Sequence, residues 1–184
     1  MKNRMVGSWQ IENSSMPLQF ALFADAYLDS AARLCKALKR STRKLSYPRG
    51  AVVLSLTFHA VELFLKAAIL QKNLKGKLHH DIERLESTYR LLYPEGQFQL
   101  DVPFKTEFLG FQSEEIAKKR LALPQDQLNR YPCNKSGRNW GGVFAFEAIS
   151  FLPVIEQLQR DFERLRSLIF TANNGLQRIA KRSR

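Results

Sequence analysis

Acidic residues are scarce in this chain: 17 Asp and Glu stand against 29 Lys and Arg, a formal charge of +12 over 184 residues. No acid occurs between Asp29 and Glu62, so the seven basic residues from Arg33 to Arg49 stand uncompensated. A field of that sign excludes a protein built to attract cationic ligands and favours polyanions: nucleic acid, nucleotide or an acidic partner. Cysteine is nearly absent. Cys35 and Cys133 lie far apart, which excludes a disulfide framework and any Cys-x-x-Cys redox or zinc spacing. Glycine and proline are sparse, at nine and seven residues, and β-branched runs are rare, which argues against a sandwich or barrel. Histidine occurs three times. The first sixteen residues carry no apolar core of the secretory type, so the expected location is the cytoplasm.

What remains is rich in leucine and aromatics, with apolar residues at 45%. That is enough for one domain with a sizeable core. Periodicity predicts an all-α fold, an up-and-down bundle of four to five helices with one long irregular connection. The first helix is expected from about Pro17 to Lys44 after the Ser14-Ser15 start signal. Phe20, Phe23, Ala24, Tyr27, Ala31, Leu34 and Leu38 form its apolar side. Arg33, Lys36, Arg40, Arg43 and Lys44 fall on the other side, a face suited to a nucleic-acid backbone or simply to water. A second helix is expected over about Gly50 to Lys72 and a third over about His80 to Tyr93, with Pro94-Glu95-Gly96 as its stop.

Residues 95–145 form the elaborated connection, with a short helix expected over about Ser113 to Arg120 and room for a short β-hairpin. The last helix is expected over about Phe146 to Phe170, interrupted or begun near Pro153. The bundle therefore occupies residues 17–172, between a polar lead (1–16) and a basic tail (173–184).

One segment combines both kinds of residue. Ala51 to Leu70, AVVLSLTFHAVELFLKAAIL, is almost wholly apolar, yet Ser55, His59, Glu62 and Lys66 interrupt it at steps of four, three and four. At ~100° per residue these four share a stripe roughly 60° wide. A Glu–Lys pair inside an apolar run of spanning length favours a buried helix over a lipid-facing one, and no membrane is expected. Glu62 and Lys66 suit an i,i+4 ion pair, and His59 lies one turn from Glu62. His59, Glu62 and Lys66, with Ser55 in the same row, are candidate catalytic residues as a small acid–base constellation or phosphate contact, and His80 is a separate candidate. The plainer reading of the row from Ser55 to Lys66 is a polar seam between helices or across a dimer contact, since one helix face rarely makes a site alone.

FHAVELFLKAAIL, a loop containing Gly76, HHDIERL and the tripeptide Arg130-Tyr131-Pro132 together resemble the HEPN superfamily over about Phe20 to Phe170. The resemblance implies a helical bundle, commonly dimeric, with a His-Ala-x-Glu-x-x-x-Lys second helix and a His-Asp-Leu-like start to the next, here His80-Asp81-Ile82. It also implies a bacterial defence, toxin–antitoxin or stress setting. Catalytic members are metal-independent ribonucleases marked by an Arg four to six residues before a His. No Arg stands at that distance before any histidine here, so the chain reads as a non-catalytic relative.

His79, His80 and Asp81 are adjacent, diverge by ~100° on a helix and have no second ligand cluster. No metal and no cofactor is expected, and Asp81 is equally natural as a helix cap. Arg130, Tyr131, Lys135, Arg138 and Trp140 join cations, aromatic faces and glycine-rich backbone, the ingredients for stacking on a base and holding a phosphate. This segment lacks the P-loop pattern. Its aromatics serve as well to pack the loop onto the bundle. Three functions follow: an RNA- or nucleotide-binding HEPN-like protein, a dimeric module that docks a partner protein, or a ribonuclease with an atypical site.

Overall fold

The computed structural model describes residues 7–41, 47–76, 78–104, 127, 130–139 and 145–171. Among these the protein is an all-α bundle of four helices with no strand. They are α1 (Met16–Arg40), α2 (Tyr47–Lys72), α3 (Ile82–Leu92) and α4 (Ala148–Arg166). One π-turn, Ser167–Thr171, extends α4. Short 3-10 turns stand at Ser8–Gln10 and Gly96–Phe98.

The α1 helix starts at Ser15, whose extended backbone turns the chain without a side-chain cap, and Pro17 sits in the first turn, where its missing N–H costs nothing. Gln19 secures the entry instead, its Nε2 donating to the Ser14 carbonyl at 2.9 Å. The buried side of α1 includes Ala24, Ala31 and Leu38 as expected and departs from the expectation at Phe23. Ala21, Ala24, Leu28, Ala31, Ala32, Cys35 and Leu38 are buried, while Phe23 is 52% exposed. Phe20, Tyr27 and Leu34 are half-buried at the edge of the core. Small side chains lie inward because they let α1 approach α2 closely, and bulk is displaced to the flank. The helix ends at Arg40, and the expected extension through Lys44 lies outside the described residues.

The α2 helix is the central element, packed most extensively on α1 and also against α3 and α4. Apart from the row of Ser55, His59, Glu62 and Lys66 it is apolar around most of its circumference, as suits a helix packed against three others. It is also long and apolar enough to cross a membrane by length and composition, with 67% of its apolar window buried in the bundle. Phe64 stacks on Phe162 of α4, with ring centroids 4.0 Å apart. Tyr93, just past α3, donates its hydroxyl to the Ala68 carbonyl at 2.9 Å. Gly50 admits the last aromatic, since a Cβ there would lie 2.5 Å from the ring of Phe146.

The α3 helix begins two residues after His80, because Asp81 caps it, its Oδ1 accepting from the amides of Glu83 at 3.0 Å and Arg84 at 3.3 Å. The α4 helix starts at Ala148 and passes through Pro153 without interruption. That proline is exposed, so the bundle absorbs the lost backbone bond on its outer side. Arg166 pairs with Asp25 and Gln159 donates to Asp29 at 2.7 Å, tying α4 to α1.

An aromatic knot holds both ends of the irregular connection. Phe104 lies 5.5 Å from Phe58 and 6.2 Å from Phe151, and Phe146 lies 5.7 Å from the same Phe151. The helix expected over Ser113–Arg120 and the tail 173–184 fall outside the described residues. Of the expected hairpin, the described residues hold one antiparallel bridge, Cys133 with Asn139, closed by a turn in which Gly137 takes φ +76°.

Candidate functional site

Glu62 is 3% exposed, and three cationic or protonatable groups converge on it. Its Oε1 meets Lys66 Nζ at 2.5 Å and His80 Nδ1 at 2.9 Å, and its Oε2 lies 3.6 Å from His59 Nδ1. His59, Glu62, Lys66 and His80 therefore form one cluster, drawn from α2 and from the residue preceding the α3 cap. Ser55, in the same row on α2, is half-buried and is not among the carboxylate's partners. Helical spacing accounts for three members, since Glu62, His59 and Lys66 are one turn apart. The fourth arrives because the turn around Gly76 reverses the chain and brings His80 back to α2, eighteen residues on from Glu62.

Burial by itself would raise the Glu62 carboxyl. Bonding from His59 and Lys66, with the charges of Lys66 and His80, outweighs it and holds the group at about 2. Glu62 is thus held ionised although buried. Lys66, 6% exposed, supplies the compensating charge. When the imidazole is neutral, a carboxylate bound at Nδ1 keeps the proton on that nitrogen and leaves Nε2 as the acceptor. The two imidazoles differ in access. The His59 side chain is 30% exposed and stands edge-on to Tyr27, ring centroids 4.6 Å apart. The His80 side chain is 74% exposed. Tyr27 had been legible only as part of an apolar stripe, and its role beside His59 had no local signal in the sequence.

No group of three or more His, Cys, Asp or Glu suited to a metal ion occurs among the described residues. His79 is exposed and points to no carboxylate partner there, while Asp81 is occupied as the α3 cap.

The second candidate site is the loop around residues 130–139. Arg130, Tyr131, Lys135 and Arg138 are all exposed, and Trp140 lies outside the described residues. Asn134 organises the turn, its Oδ1 accepting from the amides of Ser136 and Arg138, each at 3.0 Å. A cavity of about 450 Å³ opens beside it, lined by Gln127, Cys133 and Asn134 together with Arg130, Tyr131 and Lys135. Its walls offer two cations, a phenol ring and amide groups.

The third is the basic side of α1. Arg33, Lys36 and Arg40 are exposed, and Lys36 alone of these approaches an acid among the described residues, Glu156 at 3.5 Å. Arg43 and Lys44 lie outside the described residues. No family model, no curated protein and no solved structure matches this chain.

Proposed function

We propose that this chain is a HEPN-like protein that binds RNA or a nucleotide, non-catalytic, cytoplasmic and homodimeric, in a bacterial defence, toxin–antitoxin or stress setting. The observation that carries the reading is the exposed row of Arg33, Lys36 and Arg40 along α1, where among the described residues Lys36 alone faces an acid. Such a row neutralises backbone phosphates and reads no bases. The cavity with Arg130, Tyr131 and Lys135 adds a place for one base and one phosphate. The order of motifs, from His59-Ala60 to Glu62 and Lys66 and then His80-Asp81-Ile82, supports the HEPN-like assignment.

Titration of labelled single-stranded RNA across a salt series tests the proposal. Binding that weakens steeply with salt is expected, with a slope reduced by about two in an Arg33→Glu, Arg40→Glu variant. No binding at low salt overturns it.

A second reading, a ribonuclease with an atypical site, is favoured by the convergence of His59, Lys66 and His80 on Glu62. Cleavage lost in both His59→Ala and His80→Ala would support it, and cleavage unchanged in both would remove it.

A further inference from the structure

We propose that His80 is a phosphoryl-acceptor histidine, modified at Nε2 by a donor of the acyl-phosphate class. The inference is independent of RNA binding and rests on the contrast between three imidazoles.

His80 combines two properties that the other histidines do not share. Its ring is held at Nδ1 by a buried carboxylate 2.9 Å away, and its side chain is 74% exposed. His59 has the carboxylate but is mostly enclosed, with its ring against Tyr27. His79 has the exposure, but no carboxylate partner among the described residues.

The chemistry follows from the held nitrogen. With the proton kept on Nδ1, the lone pair belongs to Nε2, on a side chain that is 74% exposed, and can attack phosphorus. The Nε2–P bond forms as the P–O bond to the acyl group breaks, and the carboxylate leaves with the bonding pair. The ring becomes positive, and Glu62 stabilises it through the Nδ1–H bond, so no proton has to depart during the step. Glu62 is suited to this because Lys66 already keeps it ionised in the core. The added phosphoryl charge would lie one residue before the capped start of α3, where the helix dipole favours an anion. Asp81 is the nearby opposing charge, and Arg84 Nε approaches it at 3.3 Å.

The test exposes the full chain to acetyl phosphate and follows the adduct by intact mass, phosphorus NMR and peptide mapping at alkaline pH. A single acid-labile phosphoryl group on His80 is expected, forming at least about tenfold faster than any on His79, the advantage of one charge-assisted bond. His80→Gln should abolish it and His79→Gln should not. Both residues are exposed, so neither change threatens the fold. Removing the carboxylate together with its lysine, as Glu62→Gln with Lys66→Met, should reduce the His80 rate to that of His79. Equal labelling of His79 and His80, labelling that survives His80→Gln, or no labelling would overturn the proposal.

Discussion

Lys66 Nζ and His80 Nδ1 share one oxygen of Glu62, at 2.5 and 2.9 Å. A single buried atom therefore joins the middle of α2 to the approach of α3, and both stability and chemistry at this site depend on its charge.

Removing one member of the buried pair should cost more than removing both. Lys66→Met leaves the Glu62 carboxylate in the core without its ammonium, a loss of about 3–5 kcal/mol. The double change Glu62→Gln, Lys66→Met removes the charge as well and should recover most of that loss. Urea midpoints of the wild type and the variants measure the difference. A single variant as stable as the double one would show that the pair contributes no coupling.

Acid should weaken the fold through the same residue. Glu62 stands at about 2 when folded, against 4.5 for an unperturbed glutamate. On acidification the unfolded chain takes up the proton first, so unfolding is favoured as pH drops. The contribution is complete above about pH 5 and is lost as pH falls through 4.5 toward 2. The gap between the two values corresponds to about 3 kcal/mol. Urea unfolding measured across this range should show the decline in the wild type and a shallower one in Glu62→Gln.

The orientation of α1 can be checked by two substitutions five residues apart. Phe23 is exposed and Leu28 is 1% exposed, the reverse of what residue size alone suggests for α1. Phe23→Ser should change stability by no more than about 0.5 kcal/mol, whereas Leu28→Ala should cost about 2–5 kcal/mol. Thermal unfolding of both variants distinguishes this orientation from one with Phe23 inward.

The helix order and the extents of α2, α3 and α4 were legible because apolar spacing and stop signals are local. Asp81 shows how local: its capping role needs only the two amides that follow it. The polar row on α2 was legible for the same reason, as its members are one turn apart. The exposure of Phe23 on α1 was not. Choosing between Phe23 and Ala21 depends on how near α2 comes, a tertiary quantity with no periodic signal. His80 likewise had no marker tying it to Glu62, since that contact exists only once the Gly76 turn has folded back. Pro153 misled in the opposite direction. A proline inside a helical pattern signals a break, and here the exposed outer face of α4 tolerates it.

The aromatic knot of Phe58, Phe104, Phe146 and Phe151 has an evolutionary consequence. Phe104 and Phe146 both rest on Phe151. The two positions are thereby pinned to one spot, so the sequence between them can lengthen, shorten or be exchanged while the four helices keep their places. Closing a longer loop costs only about 0.6 kcal/mol for each doubling of its length. Changes of length or sequence there leave the contacts of the scaffold itself in place.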